Sequence, residues 1–423
     1  MLKVHPFNTH VSVRLLEFFG SGPWFRRLWN AGLSMTLSEI LEASHAVRRG
    51  VLSKESLRGL MQTAQKLLAR DCALPLPEQK RLVQKCLSDD LRFESAKYAQ
   101  LRLLQDDLDK EYLLRWSEAI QRDAAPGAER TSRSIAAHLL DKGFSRQFLH
   151  RWWTFKVVHE PMEKDLAALI RDAHALVRDS PRNYVVLLAL THMSGSTFSN
   201  IPGGLRQSDV SNWLRDEGHS ARNLRQQGGV LVETVAMDPW SAAESAFEHI
   251  RKFATRIAVG TRERKLEIFH LAWVKGFQEA VRVGQTARGV DVLALRREQK
   301  LYPKRTDTSV VDQALELLEP LDRGSPASAV AGGWAAIETL LSTPGESKSN
   351  AARRLASLAA LSFPRAELTT LSYRMKEAGL NAQLAKAGKN RERAAILADW
   401  IKRGKPLGDI SATESAAISR MRQ

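Results

Sequence analysis

Two arginine–histidine pairs are the parts of the sequence whose residue types and spacing could support acid–base chemistry. Arg133 precedes His138 by five positions, and Arg264 precedes His270 by six. A histidine can take up and release a proton near neutral pH, and an arginine can stabilise negative charge in a transition state. Both pairs are therefore candidate catalytic residues. The alternative interpretation of each histidine is a hydrogen-bonded structural residue, because 63 basic residues and 11 histidines produce such spacings by chance.

The signatures of other catalytic and ligand-binding sites are absent from the sequence. It contains no GxSxG, HExxH, GxGxxG or GxxxxGK[ST] pattern. Its two cysteines, Cys72 and Cys86, lie fourteen positions apart, without a CxxC pattern or a neighbouring histidine. This usage argues against a zinc site or a disulfide framework and favours a reducing compartment. We expect no metal and no cofactor.

The elements that must position these residues change in type along the chain. A chain of 423 residues is too long for one ordinary core. The patterns predict an α+β, mainly helical fold in three regions. These are a helical N-terminal domain (1–155), a small central α/β module (156–303) and a basic C-terminal helical bundle (304–423).

The two arginine–histidine pairs fall on different kinds of predicted element. Arg133 and His138 lie on the first helix of a helix–turn–helix outline at residues 132–153, broken at Gly143. Arg264 and His270 lie largely on a predicted strand. The predicted strands of the central module are residues 183–190, 228–237 and 266–274, with a helix at 240–257.

Residues 328–363 have the clearest pattern in the chain and predict an antiparallel helix pair. In the first helix, one apolar stripe is formed by Val330, Trp334, Ile337 and Leu341. The Thr-Pro-Gly sequence at 343–345 breaks the chain. The predicted apolar face of the second helix consists of Leu355, Leu358 and Ala359. A further helix is expected at 365–378.

Positive charge is the strongest bulk property of the sequence. The formal net charge is +16 and the pI is near 10, which favours polyanionic partners, nucleic acid before an anionic membrane surface. From Leu340 onward, the chain contains fifteen Lys and Arg residues and only seven Asp and Glu residues. The alternative is a merely solubilising surface. The candidate nucleic-acid-binding residues in this region are Arg353, Arg354, Lys386, Lys389, Arg391, Arg393, Lys402, Arg403 and Lys405.

The sequence GGWAAIETLL ending at Leu341, followed by AARRLA from Ala351, resembles the HEPN superfamily, especially its ApeA-like branch. The resemblance covers residues 310–378. It implies a helical bundle of the kind found in bacterial anti-phage and toxin systems, many of which are homodimeric, metal-independent ribonucleases. Active members carry an arginine followed four to six residues later by a histidine on the helix after the pair. No histidine follows His270 in this chain, so that site is missing from its expected place.

These observations lead to one functional hypothesis and one alternative. We expect a bacterial defence-type protein that engages nucleic acid, RNA in preference to DNA, through basic surfaces. It would be either a ribonuclease with a displaced or lost active site or a non-catalytic member, acting as a homodimer or with a partner protein from the same operon. The alternative is a non-catalytic subunit that docks onto a partner protein in a larger assembly. Without a signal sequence or a long apolar run, a cytoplasmic protein without membrane contact is expected.

Overall fold

The computed structural model is mainly helical with one small sheet, which confirms the predicted α+β class. The structure describes residues 6–20, 32–88, 90–159, 165–179, 181–192, 201–220, 224–260, 266–284, 310–323, 325–343, 345–346, 348–377, 382–405, 414–415, 417–418 and 421. Within these ranges, each helix is too short or too polar to cross a lipid bilayer. The two cysteines are free thiols, as the sequence predicts.

The N-terminal region packs around one helical core with Trp116 and Trp153 at its centre, both fully buried. The side chains of Ser53, Ser95 and Ser145 begin three of its helices by accepting a hydrogen bond from a backbone amide of the first turn. A π-helical turn at Phe155–His159 extends the seventh helix. The helices are α1 (Pro6–Phe19), α2 (Leu33–Arg48), α3 (Lys54–Leu68), α4 (Pro77–Cys86), α5 (Ala96–Gln121), α6 (Ala128–Asp141), α7 (Arg146–Thr154) and α8 (Leu166–Arg178).

Helix α8 belongs to this helical core, although the sequence-based boundary at residue 155 placed it in the central module. Leu169 and Ile170 of α8 are buried in the same cluster as Trp116. Ser117 of α5 donates a 3.0 Å hydrogen bond to the Ala167 carbonyl oxygen of α8. The apolar face of α8 needs a partner, and α5 provides it, so the helical region extends past the predicted boundary.

The central region is a five-stranded sheet in the order β2-β3-β1-β4-β5, and every described pair of strands is antiparallel. The three predicted strands and the predicted helix are confirmed. Because the strands are antiparallel, this region is α+β in its local topology. The elements are β1 (Arg182–His192), β2 (Gly204–Arg206), α9 (Gln207–Asp216), β3 (Gly228–Ala236), α10 (Pro239–Gly260), β4 (Glu267–Val274) and β5 (Val281–Arg282).

The central strand β1 is buried on both faces, which explains its continuous apolar run. Val186 and Leu188 pack with the apolar residues of α10. Leu187 and Ala189, which point to the other face, pack with those of α9. In the described part of the central region, α10 therefore covers one face of the sheet and α9 the other.

Asp238 joins the sheet region to the helical region. It is 1% exposed and accepts hydrogen bonds from Ser145 at the start of α7, from N–H at 2.6 Å and from Oγ at 2.8 Å. Its carboxylate also accepts a hydrogen bond from the Ser241 amide at the start of α10, at 2.9 Å. One buried carboxylate thus caps two helices from different regions.

The described residues of the C-terminal region form five helices, and two of its predicted features are wrong. The predicted helices at 349–363 and 365–378 form one continuous helix, with Pro364 inside it. The proline removes one helical hydrogen bond, but Ala360, whose carbonyl loses its partner, is exposed and can be hydrated. The helices are α11 (Val310–Arg323), α12 (Pro326–Leu341), α13 (Lys348–Glu377), α14 (Ala382–Lys386) and α15 (Asn390–Lys402).

The second correction concerns the face that α12 buries. Val330 is 73% exposed, and Trp334, Ile337 and Leu341 are only half-buried, so the predicted stripe is not a core. The buried residues of α12 are instead the alanines Ala329 and Ala336. At Gly332 an added Cβ would lie 2.4 Å from the Leu317 carbonyl oxygen of α11. Small residues therefore let the two backbones approach closely and set the orientation of α12.

The second half of α13 packs into a separate small core. Leu371 and Met375 of α13 contact Leu384 of α14 and Leu397 and Trp400 of α15. By contrast, residues 352–362 in the first half of α13 are all exposed. We refer to residues 352–362 as the exposed α13 segment.

Candidate functional sites: a basic surface and an arginine-lined pocket

Five of the predicted nucleic-acid-binding residues form an exposed group around α15, which we call the α15 cation cluster. Within the described part of the chain, none of the five has an ion-pair partner. They lie before and at both ends of the 13-residue helix, which spans about 20 Å. The α15 cation cluster consists of Lys386, Lys389, Arg391, Lys402 and Lys405.

The helix geometry adds to the positive potential of this cluster at one end. Lys389 and Arg391 flank the amino end of α15, where free backbone amides and the helix dipole favour anions. One acid, Glu392, lies in the first turn, where its carboxylate accepts the backbone amide of Lys389 at 3.4 Å. The cluster can therefore contact phosphate groups at the amino end and at the carboxyl end of α15.

Two other predicted residues near α15 do not belong to the cluster. Arg393 is 4% exposed and donates to the Ala387 carbonyl oxygen at 2.8 Å and to the side chain of Asn390. The guanidinium is thus turned towards the residues at the start of α15, which disfavours a phosphate contact, and the predicted role of Arg393 stays a prediction. Arg403 is exposed but pairs with Asp399 at 2.7 Å.

The two predicted arginines of α13 differ in their contacts. Arg354 pairs with Glu346 at 2.7 Å and donates to the Leu341 carbonyl oxygen at 2.5 Å. Hydrogen bonds from Thr343 and Arg354 lower the pKa of Glu346 to about 2. Arg354 therefore fastens the turn between α12 and α13, whereas Arg353 is exposed and has no ion pair within the described ranges.

His138, the first candidate catalytic histidine, lies in the protein interior. It is 3% exposed and stacks on Tyr112 with ring centroids 4.4 Å apart. Burial, together with nearby Lys142, lowers the pKa of His138 to about 3, so the ring is neutral at pH 7. The Arg133 guanidinium donates a hydrogen bond to Glu129 and not to His138. This geometry favours a structural histidine, and the catalytic role of the pair stays a prediction.

The second candidate pair cannot be assembled from the described residues. Arg264 lies outside them. His270 is exposed on β4, and its ring lies beside that of Phe269, with centroids 4.3 Å apart. Its catalytic role also stays a prediction.

A pocket of about 410 Å³ opens between α2, α3 and α6, and its wall includes Arg133. Four basic side chains line it, Lys66 and Arg70 from α3 and its end, and Arg130 and Arg133 from α6. Apolar side chains complete one part of the wall, among them Leu33 and Leu60. We call this the arginine pocket.

Arg133 is fixed in the wall by a buried network of charges. Its guanidinium donates to Glu129 Oε1 at 2.9 Å. Glu129 is 1% exposed and also accepts from Arg14 Nε, at 3.2 Å and 3.0 Å to its two oxygens. Arg14, likewise 1% exposed, pairs with Glu17 at 2.9 Å. This network joins α1 to α6 and holds one side of the pocket rigid.

The remaining positive charges of the pocket are not compensated in this way. Within the described ranges, neither Arg70 nor Arg130 has an ion-pair partner. Partial burial and the neighbouring guanidinium groups of Arg70 and Arg133 lower the pKa of Arg130. The wall carboxylate Asp71 is turned inward, accepting Tyr112 Oη at 2.6 Å, and burial raises its pKa. The three arginines therefore repel one another, and a bound anion would relieve that repulsion.

Sequence reasoning missed the arginine pocket, except for Arg133. Arg130 and Arg133 are three residues apart on one helix, and Lys66 and Arg70 are four apart. Such spacing shows that each pair shares a helix face. It does not show that α3 and α6, 60 residues apart in the chain, bring the two pairs together.

Comparison with known proteins gave no match: no protein-family model, no curated protein and no solved structure is similar to this chain. Among the described residues, no group of three or more His, Cys, Asp or Glu side chains could hold a metal ion. A functional proposal therefore depends on the geometry and charge of the α15 cation cluster, the arginine pocket and the exposed α13 segment.

Proposed function

We propose that this protein is a bacterial defence-type protein that binds nucleic acid, RNA in preference to DNA, through the α15 cation cluster. The observation that supports binding is a set of five exposed, unpaired cations around one helix, two of them at its amino end. Neutralising phosphates with such side chains releases counterions, which drives the association. The defence role and the preference for RNA are supported by the HEPN resemblance of residues 310–378.

The overall charge of the chain agrees with a polyanionic ligand. A net charge of +16 raises the local concentration of polyanions around the whole surface. The α15 cation cluster adds a local site because, within the described ranges, its side chains are not paired with acidic residues. Bulk charge alone would make all exposed cations equivalent, so the proposal is tested by comparing positions.

The experiment is fluorescence anisotropy with a labelled single-stranded RNA and a DNA of the same sequence, at low salt. In one variant, all five residues of the α15 cation cluster are replaced by glutamine. The matched control replaces five exposed cations of the N-terminal region by glutamine, which changes the net charge equally. These control positions are Arg49, Lys54, Arg81, Lys85 and Arg102.

We expect RNA to bind the wild-type protein and the control variant with similar affinity and the α15 variant much more weakly. Absence of binding at low salt, or equal weakening in both variants, would contradict the proposal. Incubation of the same RNA with the wild-type protein and with His138→Ala and His270→Ala variants separates a ribonuclease from a binder. Cleavage that one variant abolishes would identify an active site, and RNA that stays intact throughout leaves binding alone.

A second candidate function, docking onto a protein partner or a second copy, is favoured by the exposed α13 segment. Leu355, Leu358 and Leu361 are 39%, 53% and 77% exposed. No Asp or Glu occurs between Glu346 and Glu367, a stretch that contains four basic residues. Exposed leucines on one helix are typical of an interaction surface. We propose that this face takes an apolar partner surface with acidic residues at its border.

Light scattering coupled to size exclusion tests this second function. In the test variant, Leu358 and Leu361 are replaced by glutamate. In the control, Leu103, which is 70% exposed on α5, is replaced in the same way. If the segment makes a homodimer, the wild type and the control have twice the mass of the test variant. A wild type with the mass of a monomer, equal to that of the test variant, would contradict homodimer formation through this segment.

A further inference from the structure

We propose that the arginine pocket binds the phosphate groups of a small anionic ligand of the nucleotide class. This site is separate from the nucleic-acid surface of α15 and goes beyond it. A volume of about 410 Å³ falls within the range of small-molecule pockets, about 300–1,000 Å³. The combination of guanidinium groups and an apolar wall suits a ligand with both phosphates and a base.

The basic side chains around the pocket outnumber the acidic ones, which favours a bound anion. Three carboxylates line it: Glu39, Asp71 and Glu129. Glu129 is engaged by Arg14 and Arg133, and Asp71 by Tyr112 and by the Ala73 amide at 2.8 Å. Among the described residues, Glu39 is the one wall acid without such a contact, and the cations without an ion pair outnumber it.

Within the described ranges, three cations of the wall have no ion-pair partner. They are Lys66 on α3, Arg70 two residues after the end of α3, and Arg130 on α6. Arginine presents its donors as a planar fork that matches two phosphate oxygens, and lysine contributes a point charge. Because Arg70 and Arg130 line the same pocket, one phosphate bound there can contact both. Arg133 lines the same pocket, and its ion pair with Glu129 holds its guanidinium in place.

The apolar part of the wall defines where the uncharged part of the ligand would lie. Leu33, Leu60, Leu67 and Ala137 line the pocket together with the basic groups. A base or a ribose can contact these side chains while the phosphates lie toward the arginines. This division favours a nucleotide over inorganic phosphate as the tighter ligand, because burial of its apolar surface adds to the charge contacts.

Isothermal titration calorimetry of the full chain with ATP, ADP and pyrophosphate tests the proposal. The test variant is Arg70→Gln with Arg130→Gln, and the matched control is Lys54→Gln with Arg102→Gln, which are exposed outside the pocket. Loss of two charge-assisted hydrogen bonds should weaken the binding of ATP by about 100-fold. The control should bind ATP like the wild type. Circular dichroism of each variant checks that it is folded.

Two further samples identify the source of the phosphate and separate this proposal from the function of α15. An RNA oligonucleotide with a 5′-phosphate is compared with the same RNA ending in a 5′-hydroxyl. If the phosphate adds affinity that the pocket variant loses, the ligand is an RNA end. The α15 glutamine variant should retain ATP binding even if it loses RNA. The proposal is overturned if neither a nucleotide, nor pyrophosphate, nor the 5′-phosphate binds, or if the pocket variant binds them unchanged.

Discussion

Replacing Glu129 by glutamine should destabilise the packing of α1 on α6, because it removes the charge that compensates two arginines. Arg14 is 1% exposed and would keep its charge without its main partner. Breaking a buried ion pair by removing one partner typically costs about 3–5 kcal/mol. Glu17 still accepts from Arg14 at 2.9 Å, so we expect a loss at the lower end, about 3 kcal/mol.

Hydrogen exchange followed by mass spectrometry is the suitable assay, because a chain of several regions does not unfold in one step. A loss of about 3 kcal/mol corresponds to exchange that is about two powers of ten faster in α1 and α6. The amides of the central sheet, which lies outside this network, should exchange as slowly as in the wild type. The matched control is Arg133→Gln. Its side chain is 30% exposed, so this change should cost at most about 1 kcal/mol.

The reasoning would be refuted by either of two results. Unchanged exchange in α1 and α6 of the Glu129→Gln variant would show that the buried pair does not hold these helices together. Equal acceleration in the two variants would show that the burial of Arg14 does not determine the cost. A variant that replaces Arg14, Glu17 and Glu129 together by apolar residues should recover most of the lost protection, since the buried charges are then removed with their partners.

The other predictions concern single positions elsewhere. His138 has a pKa of about 3 when folded and about 6.5 when unfolded, so the unfolded state binds more protons below pH 6.5. Stability should therefore fall as the pH is lowered towards 3, by about 2 kcal/mol at pH 5, and a His138→Phe variant should lose that part of the acid sensitivity in melts at pH 7 and 5. The Gly332→Ala change places a methyl group 2.4 Å from the Leu317 carbonyl oxygen and should destabilise α12 by about 1–3 kcal/mol. Gly333→Ala, whose nearest contact is 3.5 Å, should stabilise that helix by up to about 1 kcal/mol, as hydrogen exchange in α12 can show. Asp238→Ala removes the cap of two helices and should cost about 2–3 kcal/mol, seen as faster exchange at the starts of both α7 and α10 but not of α8.

Elements determined by local pattern could be predicted well. The strand β1 follows from the continuous run of apolar and β-branched residues at 183–190, which few other structures accommodate. The start of α10 follows from Asp238 and Pro239, a capping residue and a residue suited to the first turn. In both cases the physical cause lies within a few neighbouring residues.

Features determined by close tertiary contact could not be predicted. The apolar spacing of α12 indicates the stripe from Val330 to Leu341, yet the approach of α11 at Gly332 turns a face of small residues inward. Arg393 has the spacing of a surface cation and is buried because the preceding loop needs its donors. The arginine pocket depends on α3 and α6 both lying near α2, and no local spacing encodes that arrangement.

The salt dependence of RNA binding tests the central proposal most directly. If the five cations of the α15 cation cluster each neutralise a phosphate, log Kobs should fall with log salt concentration with a slope of about −3.5. Affinity would then drop about 100-fold between about 50 and 200 mM salt. We predict that the α15 glutamine variant has a clearly smaller slope, while the N-terminal control keeps the wild-type slope. An unchanged slope in the α15 variant would contradict the proposal that these side chains contact the nucleic acid.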